Sequence, residues 1–383
     1  MDFSITQEQI ELREKYRNFA KKEIAPLAFE IDEKAQFSYE LLKKLAKIGF
    51  LGLIYPEEYG GQGKTLLDAI IAVEELAKEC PSTTLACGVS STLFAYHIFS
   101  FGTDVQKEKY IPKVINGEIM GSWGLTEPEA GSDVASIKTT AVKKDGKYII
   151  NGTKIFISNA PICDVVIVMV KTDPGRGARG ISAIIVEKDS PGFKRGITFD
   201  KMGFRGLQVG ELIFENCTVS EENLLGKEGL GFIQAMKVLE QGRVAVACVS
   251  VAIAQACLEE AINRSKKRIQ FGKPISNFQL IQQKISDMKT RIDASKLLTY
   301  KAAWLISNNK PCAIESSVAK LFSSETANFC ADEAVQIFGG YGYIKKYKEK
   351  YRLERMYRDA KLLEIAEGTS EIQRWIISRH LTR

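Results

Sequence analysis

The sequence predicts an α+β chain of three consecutive domains: an N-terminal helical domain (residues 1–118), a small central β-barrel or sandwich domain (119–227) and a C-terminal four-helix bundle (228–383). Three observations carry this. Apolar residues recur with helical spacing through roughly the first 115 residues. From about Gly121 the texture changes to short alternating runs separated by turn dipeptides. From Gly229 helical periodicity returns, in stretches far longer than before. A chain of 383 residues also exceeds what one compact core accommodates.

In the first domain, Thr6 with Gln9 is a capping-box signal, and Leu12, Tyr16, Phe19 and Ala20 share the helical face that follows. Pro26 should end or kink that helix, because it lacks an N–H and its ring crowds the preceding turn. Ser38 opens another helix, with Leu41, Leu42, Leu45 and Ile48 on one side and Gly49 at its end. IYPEEYGGQG reads as a loop, LLDAIIAVEELAKE as a helix and DVQKEKYIPKVINGE as a short amphipathic one. In the central domain Asp145-Gly146 and Asn151-Gly152 each lie between alternating runs and predict two hairpin turns. VVIVMVKT, GISAIIVEK and ELIFENC predict further strands. In the last domain residues 231–269 contain no Pro and only Gly242 as an interior glycine, and predict one very long helix. Residues 277–309, 316–338 and 367–381 supply three more, joined by short connections into a bundle.

Composition narrows the chemistry. Hydrophobic content of 45% and charged content of 26% are ordinary for a globular protein. No run reaches the roughly 18 consecutive apolar residues of a membrane helix, so no membrane insertion is expected. MDFSITQEQI lacks the basic, apolar and small-residue series of a signal peptide. Cys80, Cys87, Cys163, Cys217, Cys248, Cys257, Cys312 and Cys330 show no CxxC spacing and read as reduced core residues of a cytoplasmic protein, with no metal site. The net charge of +6 is spread among mixed-sign helices, with no basic tail to engage nucleic acid. The two histidines, His97 and His380, supply multi-His metal sites and Ser-His-Asp triads poorly, and both read as structural. An acid–base residue in this chain is therefore expected to be a carboxylate.

Three segments stand out. Trp123-Gly124-Leu125-Thr126-Glu127-Pro128-Glu129-Ala130-Gly131-Ser132-Asp133 places small and hydroxyl residues where backbone could approach a planar ligand, although on composition alone a polar turn explains it. Gln336-Ile337-Phe338-Gly339-Gly340-Tyr341-Gly342-Tyr343 is a helix end, either a simple C-cap or clearance for a cofactor. Glu364 to Arg374 contains Glu367-Gly368-Thr369 just before the last helix, where acids commonly serve capping and the helix dipole. No GxGxxG follows a strand, and no Walker A sequence is present.

Taken together and in this order, GLTEPEAGSD, KIFISN, RIQFGKPISNFQ, QIFGGYGY and EGTSEIQR resemble the acyl-CoA dehydrogenase family, over essentially the whole chain and on its short-chain, butyryl-CoA-like branch. The resemblance implies FAD between the β domain and the bundle, completed by a neighbouring subunit of a homotetramer (a dimer of dimers). It assigns cofactor contacts to Trp123, Leu125, Thr126, Ser132, Phe156 and Ser158. Arg268, Gln279, Gln336, Gly339 and Gly340 would reach FAD across a subunit interface, and Thr369 and Glu371 would complete the site at a helix N-terminus. It assigns acyl-CoA contacts to Ser132, Glu240, Gly242, Arg243, Ala366 and Gly368. Arg243 is either a phosphate-side cation or part of a buried helix ion pair. Glu367 falls on the catalytic position. There it would take the thioester α-proton while its own N–H and a flavin ribityl hydroxyl polarise the carbonyl, and the β-hydrogen would leave as hydride to flavin N5. The implied electron acceptor is electron-transferring flavoprotein. An acyl-CoA oxidase is the near alternative; a non-dehydrogenating flavoprotein relative that binds nucleic acid or protein is a more distant one.

Departures from the family pattern bear on the substrate. Some relatives place the base on the long helix, where this chain has Gly242 and so no base. Ala366 stands where many members have Tyr, which implies a larger acyl pocket and a bulkier substrate: alicyclic, branched or aryl. Phe156 stands where many have Trp. STTLACGVSST, around Thr84–Thr92, lacks the Arg of glutaryl-type members, which argues against a dicarboxylic substrate. FRGLQVGEL also departs, without an account from sequence.

Overall fold

The computed structural model describes residues 5–347 and 351–382; the first four residues of the segment read as lacking a signal peptide lie outside them. Thr6 caps α1 (Gln7–Phe19) with both halves of the capping box, and Tyr16 and Ala20 enter the core as their spacing requires. Pro26 does not end this helix. A π-helical turn at Ala20–Ile24, closed by the Ala25 N–H on the Ala20 carbonyl, widens the backbone just ahead of it, and α2 (Ala25–Lys34) continues with Pro26 in its first turn. The Ser38 hydroxyl caps α3 (Tyr39–Lys47), and Thr65 caps α4 (Leu66–Glu79). Next, α5 (Pro81–Gly88) widens into a second π stretch at Val89–Ala95 and resumes as α6 (Tyr96–Phe101), followed by α7 (Asp104–Ile115).

The central sheet has eight strands: β1 (Gly121–Gly124), β2 (Thr140–Lys144), β3 (Lys147–Ser158), β4 (Val165–Lys171), β5 (Ile181–Glu187), β6 (Phe193–Thr198), β7 (Val209–Ser220) and β8 (Leu224–Leu225). They are ordered β6-β7-β3-β2-β4-β5-β8, and β1 pairs parallel with β4. Both faces of β4 and β5 are covered. Val166, Val168 and Ile184 pack inside the β domain, while Ile167, Met169 and Ile185 join Phe94, Ile98 and Ile111 of the helical domain. That double burial explains why these strands read as continuous apolar runs.

Of the two expected hairpin turns, Asp145-Gly146 forms one, with both residues at positive φ between β2 and β3. Asn151-Gly152 does not turn the chain; it makes a bulge inside the long β3 strand. The Asn151 amide pairs there with Asn216 of β7, and a Cβ at Gly152 would stand 2.4 Å from the Thr139 hydroxyl. The glycine serves close approach rather than reversal.

The C-terminal domain is built on α8 (Gly231–Lys267), α9 (Gln279–Ser307) and α10 (Ala313–Phe338). A small hairpin of β9 (Ile269–Gln270) and β10 (Lys273–Pro274) follows α8. After α10 come the short α11 (Gly340–Tyr343), then α12 (Leu353–Ile365) and α13 (Ser370–Leu381). The expected four helices therefore omit α12, which packs on both α8 and α10. Its apolar stripe is narrow (Leu353, Met356, Ala360, Leu363), and six charged residues among its thirteen disguise it.

Two helices, Pro81–Phe101 and Gly231–Lys267, are long and apolar enough to cross a bilayer by length and composition; most of each is buried inside the fold instead. All eight cysteines are buried and unpaired.

The FRGLQ segment ties the three domains together. Phe204 is fully buried and donates its N–H to Asp359 of α12, Arg205 donates to the Asp32 carbonyl of α2 at 3.0 Å, and Gln208 donates to the Ala35 carbonyl at 2.6 Å. Arg358 closes the junction, donating to the Met202 carbonyl at 2.8 Å and to the Asp32 carboxylate at 2.6 Å.

Candidate active site

Between α12 and α13 the chain reverses over four residues. Glu367 and Gly368 both take left-handed backbone, with φ of 57° and 94°, and the Thr369 hydroxyl then accepts the Ile372 N–H to start α13. This turn sends the Glu367 side chain beneath α8. A Cβ added to Gly242 would lie 2.6 Å from its Oε2, 3.0 Å from its Cδ and 3.2 Å from Leu93 Cδ2 in the π stretch. The carboxylate is thus wedged between α8 and the Val89–Ala95 segment, and the missing side chain of Gly242 makes its room.

Although the residue as a whole is only half-buried, Oε2 is shut off from solvent and has no hydrogen-bond partner. Burial pushes the carboxyl up to about 7, against the opposing pull of Arg243 and Lys320. Arg243, 6% exposed, has no salt bridge of its own among the described residues, and its Nε is unpartnered; burial lowers its pKa while Glu367 and Glu240 counter. The paired-helix reading of Arg243 therefore fails: Glu240 on the same helix pairs with Lys237 at 2.9 Å. The Glu367 N–H makes no hydrogen bond among the described residues, so a donor and a carboxylate stand free on one residue.

Two residues that the sequence reading passed over hold this turn. Lys320 of α10, fully buried, donates to the Glu364 carbonyl at 3.1 Å and the Gly368 carbonyl at 2.8 Å. Gln373 of α13, also fully buried, donates to the Glu367 carbonyl at 3.1 Å and the Gly368 carbonyl at 2.9 Å. A signal for Lys320 existed: it is a lone lysine among Ser316, Ser317, Ser323 and Ser324, all buried.

On the β-domain side, Leu125, Thr126 and Glu127 are pinned against β3. The Lys154 ammonium, fully buried, donates to the Leu125 carbonyl at 3.0 Å and to Glu127 at 2.8 Å, and the Ile155 N–H donates to the Thr126 carbonyl. Burial lowers Lys154 to about 8 against the attraction of Glu127; burial would raise Glu127, yet Lys154 and the Lys138 and Thr139 N–H groups hold it below its ordinary range. Phe156 has φ of 59° in the bulged end of β3 and presents a ring that is 64% exposed, resting on Phe199. Ser158 accepts from Ser122 through its carbonyl, leaving its hydroxyl available, and Ser132 is exposed. Trp123 is buried in β1. Its indole faces the core and donates to His97 Nδ1 at 3.0 Å, while His97 Nε2 pairs with Gln234. Burial lowers His97 to about 4, which keeps it neutral and structural, as its context implied.

The remaining positions fall elsewhere. Arg268, Gln279, Gln336, Gly339 and Gly340 are all exposed at the far end of the bundle, where Arg264 stacks on Phe338 and Tyr341. Along α8, the 26 residues from Gly242 to Arg268 span about 39 Å. Within one chain the two sets therefore form two surfaces, with Glu240, Gly242, Arg243, Ala366, Gly368, Thr369 and Glu371 on the Glu367 side.

A separate apolar cavity begins one turn along α8 from Gly242. It is lined by Ala245 and Val249 of α8, Ala69 and Val73 of α4, and Gly88 and Thr92, among others, and is small, with a cavity volume of about 50 Å³. Ala366 does not line it.

Comparison with known proteins accounts for this arrangement. Residues 6–118, 122–217 and 229–382 match, in turn, the acyl-CoA dehydrogenase N-terminal, middle and C-terminal domains. An acyl-CoA dehydrogenase of Bacillus subtilis is 45% identical over 377 residues, covering 98% of each chain. The caffeyl-CoA reductase-Etf complex subunit CarC of Acetobacterium woodii is 42% identical, covering 97% of each. Among solved structures, butyryl-CoA dehydrogenase from Megasphaera elsdenii superposes with a TM-score of 0.96 at 42% identity, covering 100% of both chains. PigA with FAD and proline superposes at 0.96 with 30% identity, covering 100% of this chain and 99% of that one. The chain belongs to the acyl-CoA dehydrogenase family of flavoprotein oxidoreductases, on its short-chain, butyryl-CoA dehydrogenase-like branch.

Proposed function

We propose that this enzyme converts an acyl-CoA thioester to the 2-enoyl-CoA, with Glu367 removing the α-proton. The observation that carries the reading is the buried, unpartnered Glu367 Oε2 beneath Gly242. A base held near neutral pH by burial is matched to a weakly acidic carbon, and the free Glu367 N–H suits a carbonyl oxygen whose negative charge grows as the proton leaves. Arg243 and Lys320 face the same carboxylate and keep it from rising further.

The residues present fit FAD. Phe156 offers an exposed flat wall, Thr126 and Ser158 offer hydroxyls beside it, and Thr369 and Glu371 open the N-terminus of α13, whose first N–H groups suit a phosphate-bearing ligand. The chemistry that FAD supplies when bound is acceptance of the β-hydrogen with its electron pair. Arg268, Gln279, Gln336, Gly339 and Gly340 lie too far along the bundle to share this surface within one chain, which supports their serving a neighbouring subunit of a cytoplasmic homotetramer. CarC, named as a subunit of a reductase-Etf complex, supports electron-transferring flavoprotein as the redox partner.

For the substrate, the reading is an acyl group bulkier than a short linear one: branched, alicyclic or aryl. The support is Ala366, whose methyl group immediately before Glu367 takes up less room than the Tyr that many members of the family carry there. Anaerobic flavin bleaching across a panel of butyryl-, isobutyryl-, cyclohexanecarboxyl- and 3-phenylpropionyl-CoA tests this, with Glu367→Gln as control. No bleaching by any member refutes the activity; butyryl-CoA clearly outperforming the others refutes the bulky substrate.

A further inference from the structure

Left-handed backbone is unfavourable for a glutamate and persists only where neighbours over-determine it. Around Glu367 those neighbours are specific. The single Lys320 ammonium joins the Glu364 carbonyl, in the last turn of α12, to the Gly368 carbonyl just after the base. It therefore brackets Glu367 from both sides in sequence. The Gln373 amide nitrogen joins the Glu367 and Gly368 carbonyls, and because both partners are acceptors its NH2 must face the turn. No other hydrogen bond to a Glu367 or Gly368 carbonyl is present among the described residues.

We propose that Lys320 and Gln373 are positioning residues for the reaction: they lock the Glu367–Gly368 turn so that the base carboxylate stays beneath Gly242 and the Glu367 N–H stays free for the thioester carbonyl. The inference rests on Glu367 being the base. Lys320 also acts electrostatically. Glu367 is faced by Arg243 from α8, by Lys320 from α10 and by the apolar Leu93 from the π stretch, while Lys320 is itself faced by Glu364, Arg243 and Glu371. Arg243 alone cannot define the turn, since it makes no hydrogen bond to it. The two residues thus divide the work: Gln373 fixes geometry without charge, and Lys320 fixes geometry and lowers the proton affinity of the base.

The test uses Lys320→Met, Lys320→Arg and Gln373→Met in the flavin-loaded full chain. Two readouts are taken: kcat and KM with the best thioester of the panel as a function of pH, and the midpoint of the Glu367 carboxyl titration by infrared difference spectroscopy, assigned with Glu367→Gln. Gln373→Met should lower kcat by about 10- to 100-fold with little change in KM, because a base displaced by a fraction of an ångström loses its attack geometry. Lys320→Met should do the same and move both the pH limb and the infrared midpoint upward, with Lys320→Arg recovering the midpoint. A purely structural role would change the yield of folded protein but not the midpoint. The proposal is overturned if Gln373→Met keeps kcat within twofold of the parent, or if folded Lys320→Met keeps the parent midpoint. Because the infrared titration needs no turnover, a chain that bleaches with no thioester would sink the proposed activity while still reporting on Lys320.

Discussion

Replacing Gly242 with alanine should separate stability from catalysis. The new Cβ would stand 2.6 Å from Glu367 Oε2, against the 3.4 Å at which ordinary contact begins, so the carboxylate must retreat by about 0.8 Å. The atom that yields is the end of a flexible side chain, so folding tolerates the change. Alanine also favours the interior of α8 over glycine by about 0.5–1 kcal/mol. The same 0.8 Å is costly to the reaction, because a displacement near 1 Å at a reacting group lowers rate by on the order of 100-fold. Gly242→Ala should therefore melt at or slightly above the parent temperature, retain its flavin and reduce it roughly 100-fold more slowly in anaerobic stopped flow. Parent-like reduction would show that the carboxylate's position beneath α8 is not what the chemistry uses. A lowered melting temperature would show that the close contact belongs to packing instead.

Three further outcomes follow from the same structure. Glu367→Gln should abolish bleaching and also change the pH dependence of stability. The raised carboxyl contributes stability that is complete below its unfolded pKa near 4.5 and is lost as pH rises through about 7, so in urea titrations the variant should exceed the parent at pH 8, by on the order of 2 kcal/mol, and converge with it below pH 5. Lys154→Met leaves Glu127 buried without its cation and should destabilise the β domain by about 3–5 kcal/mol, with Glu127→Gln added to it recovering part of the loss; an unchanged denaturation midpoint would mean the pair is not structural. Arg268→Ala, exposed and far from Glu367, should weaken FAD retention by about 10- to 100-fold without altering the fold of the single chain, measured by ultrafiltration and flavin fluorescence; full retention would remove the intersubunit role.

What the sequence determined by itself is local. Capping residues such as Thr6, Ser38 and Thr369 placed helix starts correctly because their hydroxyls satisfy N–H groups within the same turn. The long Pro-free run placed α8, the Asp145-Gly146 pair placed its hairpin, and scarcity of histidine pointed to a carboxylate base. Where a signal depended on partners far along the chain, it was ambiguous or silent. Asn151-Gly152 resembles a turn, but Thr139 crowding Gly152 makes it a bulge. Pro26 looks like a helix end, but a π turn ahead of it absorbs the missing N–H. Trp123 sits in a ligand-like motif, yet His97 draws its indole inward. The identity of Glu367 was legible from the segment around it. The surroundings that suit it to the proposed role were not: the 2.6 Å approach to Gly242, the hold of Lys320 and Gln373, and the burial that raises its proton affinity all arise from residues 47 to 125 positions earlier or on the following helix. Desolvation and the packing of one backbone against a side chain are properties of the folded surface, and only the tertiary structure brings them together at one carboxylate.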